Sequence, residues 1–170
     1  MSEQQVRQSA LHLRSLAPFF LVYRKMNADQ LLAGYSAAVS GRIGHNERTS
    51  TSELKGYGER YFTRHQFLGV FPADTEPHRT GTRSFYIQNT HPSSMPGEHW
   101  IAVGREPGRV DLVFDSFGRT PGPGWMPHLL GAAVTDTDPN QRLSDDNCGQ
   151  ISLGWGHVFI QHGYDVAQQC

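Results

Sequence analysis

The stretch from His99 to Asp115 (HWIAVGREPGRVDLVFD) constrains the fold of this chain more than any other. Two runs rich in β-branched and aromatic residues, His99–Val103 and Val110–Asp115, flank Glu106-Pro107-Gly108-Arg109. Pro then Gly at the central positions suits a type II turn. The Pro ring presets the first φ, and Gly accepts the positive φ that follows. The pattern predicts an antiparallel hairpin with Val110, Leu112 and Phe114 on one face. His99 and Asp115 lie at its two open ends, so both are expected at one edge of a sheet. Ser84–Thr90 (SFYIQNT) reads as a further strand.

Helices are expected on either side of these strands. Val6, Leu11, Leu13 and Leu16 recur at loosely helical spacing until Pro18 interrupts them. A second helix starts at Asn27, with Gln30 at the reciprocal capping-box position. Leu31, Leu32, Tyr35 and Val39 form its apolar stripe, and Gly41 is placed to end it. Residues 41–60 (GRIGHNERTSTSELKGYGER) are rich in Gly, Ser and Thr and read as a loop or linker. Residues 119–127 (RTPGPGWMP) read as a stiff Pro/Gly loop. From Cys148 onward, Ile151, Leu153, Trp155, Val158, Phe159 and Ile160 predict a buried helix, in which Gly154 and Gly156 permit close packing despite their low propensity. Helices, a small mostly antiparallel sheet and a closing helix make this an α+β chain rather than an alternating α/β one.

Composition narrows the function classes. A length of 170 residues suits a single compact domain. No apolar run is long enough to cross a membrane as a helix. The start, MSEQQVRQSA, lacks the basic-then-apolar pattern of a secretory signal. Two cysteines, Cys148 and Cys170, make neither a disulfide framework nor a Cys-rich zinc site, so an intracellular, reducing setting is expected. His157 and His162 are five residues apart, a poor spacing for shared metal ligation on one helix, and no metal is expected. A net charge of -1 gives no sequence-wide case for nucleic-acid binding.

Four residues suggest chemistry. Cys148, in Asp145-Asp146-Asn147-Cys148-Gly149, stands in the first turn of a predicted helix capped by Asn147, a setting that suits a nucleophilic thiol as well as a small buried hydrophobe. Gly149 leaves room for an incoming carbonyl. His99 supplies a base and Asp115 a group to orient it. His91 is a competing base in a Pro/Ser/Gly loop, and Asp111 a competing acid in mid-strand. Gln141, seven residues before Cys148, offers a side-chain amide to a developing oxyanion beside the backbone N–H of Cys148.

The order His99-Trp100, Asp115-Ser116-Phe117-Gly118, Gln141, Cys148-Gly149 resembles the adenovirus proteases (adenains) and their relatives among proteases of ubiquitin-like proteins. The six residues between Gln141 and Cys148 are similar to the adenovirus branch. Phe67-Leu68-Gly69-Val70-Phe71 and Asn89-Thr90 resemble further segments of that family, and the likeness spans roughly residues 64–165. It implies a papain-like cysteine protease core over residues 61–170, with residues 1–60 a helical extension and linker packed on it.

By this resemblance Cys148 is the nucleophile, His99 the base and later acid, and Asp115 its orienting partner. Gln141 then donates to the oxyanion, and Trp100 and Gly149 face the substrate. The resemblance implies a monomeric viral endopeptidase of host nucleus and virion that processes capsid or core precursors at Gly-containing sites. A deconjugase of ubiquitin-like modifiers is the alternative. An activating peptide or DNA is implied as a cofactor, although no cysteine precedes Cys148 to hold the peptide by the family's disulfide. Cys170 is a substitute for that cysteine or simply a flexible terminal thiol. Arg79, Arg83, Arg105, Arg109 and Arg119 would supply a local basic patch, or stand as separately solvated charges. Leu54-Lys55-Gly56-Tyr57-Gly58 matches the family's cleavage preference, so self-cleavage between Tyr57 and Gly58 is an expectation, alongside a chance match.

Overall fold

A computed structural model describes residues 26–120, 126–142 and 145–170. The helix expected over Val6–Leu16 lies outside them.

Helix α1 covers Ala28–Ile43. Its capping box is complete: the Gln30 N–H donates to Asn27 Oδ1 at 2.8 Å, and the Asn27 N–H donates to Gln30 Oε1 at 3.2 Å. The helix runs through Gly41 and ends at Gly44, whose φ of 97° is the left-handed cap that glycine accepts. The expected linker over 41–60 contains a second helix, α2, Thr51–Tyr61. Two glycines lower its intrinsic propensity. A Ser50/Glu53 capping box offsets that at the start, and burial of Leu54 and Tyr57 against the core does the rest.

Five strands follow: β1 Phe67–Phe71, β2 Ser84–Asn89, β3 Trp100–Arg105, β4 Leu112–Phe114 and β5 Ala133–Val134. They lie side by side in chain order. The predicted hairpin is present: β3 and β4 run antiparallel with Ala102 opposite Phe114 and Gly104 opposite Leu112. Its turn closes through Arg109 N–H to Glu106 C=O at 3.1 Å, with Gly108 at φ 78°. Val110 is not on the inner face; it is 56% exposed, because pairing begins only at Leu112. The sheet is also mixed rather than mostly antiparallel. β2/β3 and β3/β4 are antiparallel, whereas the outer pairs β1/β2 and β4/β5 are parallel. Both outer strands reach their neighbours through long connections, which local patterning does not reveal.

Helix α3, Cys148–His162, crosses one face of the sheet, and the short helix α4, Tyr164–Ala167, folds back after it. Trp155 stacks between Phe114 and Phe159 at centroid distances of 5.6 and 5.1 Å. A Cβ on Gly154 would strike the backbone of Ser36 in α1, and one on Gly156 the ring of Phe85. Both glycines thus permit the close approach expected of them. Alternation along the strands fills two cores. Phe85, Ile87, Ala102 and Phe114 face the helices, while Tyr86, Ile101, Val103 and Val113 pack with Met126 and Leu129 on the other face. Among the described residues no helix is long and apolar enough to cross a membrane.

Candidate active site

The register of the hairpin brings its open ends together. His99 directly precedes β3 and Asp115 directly follows β4, and His99 Nε2 meets Asp115 Oδ1 at 2.7 Å. Both are almost wholly buried, at 5% and 2% exposure, so the pair interacts in a poorly screened environment. Burial opposes ionisation of Asp115, but the His99 hydrogen bond and charge, the Phe117 N–H and Arg119 together hold its carboxyl below the usual range. An ionised carboxylate only accepts, so Nε2 of His99 carries the hydrogen between them. Burial also disfavours a charged His99. Its hydrogen bond to Asp115 and its interaction with Cys148 outweigh that, and its pKa lies above the ordinary histidine value.

Cys148 opens α3, 7% exposed, and its thiol lies close enough to the same imidazole to raise its pKa. With Nε2 committed to Asp115, Nδ1 is the nitrogen that faces the sulfur. As the first residue of the helix, Cys148 has a backbone N–H with no intrahelical acceptor. Asn147 stands at the cap position, but its side chain makes no cap bond. It donates instead to Asn46 Oδ1 at 3.1 Å.

Gln141 is buried and held at both ends of its amide. Ser116 Oγ donates to Oε1 at 2.6 Å, and Nε2 donates to the backbone carbonyl of Asp145 in the segment leading to Cys148. The structure therefore brings Cys148 to the hydrogen-bonded pair of His99 and Asp115 and ties Gln141 to the two segments that carry Asp115 and Cys148.

The competing residues lie elsewhere. His91 bonds the Pro96 carbonyl and Glu98 in its loop. Asp111 is held by Arg79 and Arg105.

Two expected substrate contacts change role. Gly149 does not open space for a carbonyl: a Cβ there would collide with the Thr49 side chain, so its smallness lets the connection between α1 and α2 pack on α3. Trp100 is buried and donates its indole N–H to the Thr49 carbonyl at 3.1 Å. Part of it still lines a cavity of about 150 Å³, with Val70, Phe71, Asn89, Met95 and Gly97.

Phe117 and Arg119 were not legible as site residues. Phe117 stacks on His99 at 4.8 Å, and Arg119 Nε donates to Asp115 Oδ2 at 2.9 Å while its guanidinium covers the Phe117 ring. The Phe-Gly pair after Asp115 was the available signal for Phe117. Nothing local marks Arg119.

Comparison with known proteins adds no family: no protein-family model matches the chain, and no curated protein is significantly similar to it.

Tyr57 and Gly58 lie buried inside α2, with Tyr57 Oη 3.0 Å from His157 Nε2 and Gly58 beneath the Phe67 ring. A protease needs an extended, accessible segment, so this bond in the folded chain is no substrate. Cys170 is not a flexible thiol. It is 1% exposed, in contact with the Ala28 carbonyl, and burial pushes its pKa up to about 12. The five arginines form no free basic patch, since each meets a carboxylate: Asp111 for Arg79 and Arg105, Glu106 for Arg83, Asp165 for Arg109 and Asp115 for Arg119. Among the described residues no cluster of three His, Cys, Asp or Glu side chains could hold a metal ion.

Proposed function

We propose that this chain is a cysteine endopeptidase of the adenain type, a viral enzyme that cleaves precursor proteins at Gly-containing sites in the host nucleus and the virion. One observation carries the reading: a buried His99 bonded through Nε2 to Asp115 and meeting the Cys148 thiol at the start of α3. An isolated His/Asp pair is common in proteins. A cysteine on the third side of the ring, at a helix N-terminus, is the arrangement that activates a thiol.

In this mechanism Cys148 passes its proton to His99 Nδ1, and its sulfur attacks the scissile carbonyl. The oxyanion accepts from the Cys148 N–H and a Gln141 N–H. The C–N bond breaks as His99 protonates the leaving amine. A water then gives one proton to His99 and attacks the thioester. Collapse of that second intermediate releases the acid and returns the proton to the sulfur. The near-complete burial of Cys148 and His99 supports a preference for glycine at the scissile bond, since a β-carbon would need more room. The apolar walls of the neighbouring cavity, Val70, Phe71, Met95 and Trp100, suit an aliphatic side chain nearby.

A peptide library incubated with wild-type and Cys148→Ala protein tests this reading, with a thiol-directed peptide electrophile as a second arm. Cleavage at Gly-containing peptides and a covalent adduct on Cys148, both absent in the variant, are expected. Cleavage of ubiquitin-like fusions alone would favour a deconjugase. An unreactive Cys148 would remove the enzymatic reading altogether.

A further inference from the structure

The turn after β4 does more than present Asp115. Ser116 is fully buried, and its backbone and side chain both reach the segment that carries Gln141. Its carbonyl accepts from Asn140 N–H at 2.9 Å, and its hydroxyl donates to Gln141 Oε1 at 2.6 Å. At the other end of the same amide, Nε2 donates to the Asp145 carbonyl. A side-chain amide has two orientations related by a flip, and only its bonding partners distinguish them. Here they are unambiguous. The Asp145 carbonyl can only accept, so it requires the NH₂ group on that side, and the Ser116 hydroxyl then meets the oxygen.

We propose that Ser116 is a positioning residue for the oxyanion donor. Its hydroxyl pins the carbonyl end of Gln141 and thereby turns the second amide hydrogen toward the oxygen that becomes charged at Cys148. The inference rests on the peptidase reading above and deepens it. Adjacent residues of one turn then serve opposite sides of the reaction. Asp115 orients the group that moves the proton, and Ser116 orients the group that receives the charge. A preorganised donor is effective because it does not have to reorient as the charge forms. A Gln141 amide without Ser116 keeps its Asp145 bond but loses the constraint on its oxygen.

The test is a double-mutant cycle on Ser116→Ala and Gln141→Ala, together with the side-chain amide spectrum of protein labelled with ¹⁵N-glutamine. Gln141→Ala identifies the Gln141 resonances by their loss. Ser116→Ala is expected to lower kcat about tenfold with KM nearly unchanged, less than the roughly hundredfold or greater loss from removing the donor itself. In the Gln141→Ala background the same change is expected to have almost no further effect. The Gln141 amide pair is expected to shift toward solvent-like values in Ser116→Ala, while the other glutamine signals stay in place. Equal losses in both backgrounds, or an unmoved Gln141 pair, would overturn the proposal. If wild-type protein hydrolyses no peptide, the peptidase reading fails. The amide spectrum then decides the contact between Ser116 and Gln141 on its own.

Discussion

Arg119 shows how a half-exposed side chain bears on a buried pair. Its Nε donates to the Asp115 oxygen that His99 does not use, and its guanidinium lies 5.1 Å from the Phe117 ring that stacks on His99. It therefore fixes the carboxylate from the far side and braces the imidazole through Phe117. Arg119 is one of the groups that keep the Asp115 carboxyl below its usual value. Without that cation the carboxyl shifts upward, so the carboxylate is protonated at a higher pH as the solution is acidified. Arg119→Gln is expected to lower kcat roughly fivefold and to move the acid limb of kcat/KM to higher pH. Arg119→Lys should recover part of the pH behaviour but less of kcat, because a point charge does not reproduce the planar Nε contact. An unchanged pH profile in Arg119→Gln would remove this role.

At the scale of elements, α3 is the joint of the molecule. It carries Cys148 at one end and is gripped along its length by α1, α2 and the sheet. His157 sits at the centre of that grip. Tyr35 of α1 stacks on it at 5.2 Å, Tyr57 of α2 meets its Nε2, and Phe62 lies at 4.3 Å. Its buried Nδ1 has no hydrogen-bond partner. Burial, with a smaller contribution from Arg42 beyond Tyr57, lowers its pKa to about 4. The folded state therefore excludes a proton that the unfolded chain accepts near the ordinary value of 6.5. This stability is fully present above that value and is lost as pH falls toward 4. Between pH 7 and pH 4.5 the wild type is expected to lose about 2 kcal/mol more than His157→Phe in denaturant titrations. Parallel pH dependence in the two proteins would show that folded His157 takes up its proton as readily as the unfolded chain does, and would overturn this assignment.

On the scale of the whole molecule, residues 28–61 are part of the core rather than a detachable extension. Ala28, Leu32, Val39, Leu54 and Tyr57 share one apolar cluster with Phe85, Phe114 and Trp155. The connection between α1 and α2 also touches both halves of the site. The Thr49 carbonyl accepts from Trp100, beside His99. Its side chain packs on Gly149, beside Cys148, and Gln150 donates to the Glu47 carbonyl at 2.7 Å. Cutting between Tyr57 and Gly58 would sever this arrangement on the buried face of a helix. Intact-mass measurement after prolonged incubation is accordingly expected to show no fragment beginning at Gly58. Such a fragment from wild type but not from Cys148→Ala would mean that α2 opens readily.

By itself the sequence determined what is local. The Asn27/Gln30 pair, the Pro107-Gly108 turn and the apolar run after Cys148 act over a few residues, and each forms where its residues predict. The hairpin is local as well, and it carries His99 and Asp115 to one edge through its register. Only tertiary structure decided the rest. TSELKGYGERY reads as a loop because its glycines weaken any helix taken alone, yet packing of Leu54 and Tyr57 makes it one. The parallel outer strands depend on partners distant in the chain. Arg119, Ser116 and Thr49 acquire their roles from neighbours that no spacing rule connects. Gly149 and Cys170 are set by packing in the same way, one against Thr49 and the other beneath Ala28. Short-range hydrogen bonding and periodicity are written in consecutive residues. Burial and electrostatic pairing depend on which surfaces meet once the chain has closed.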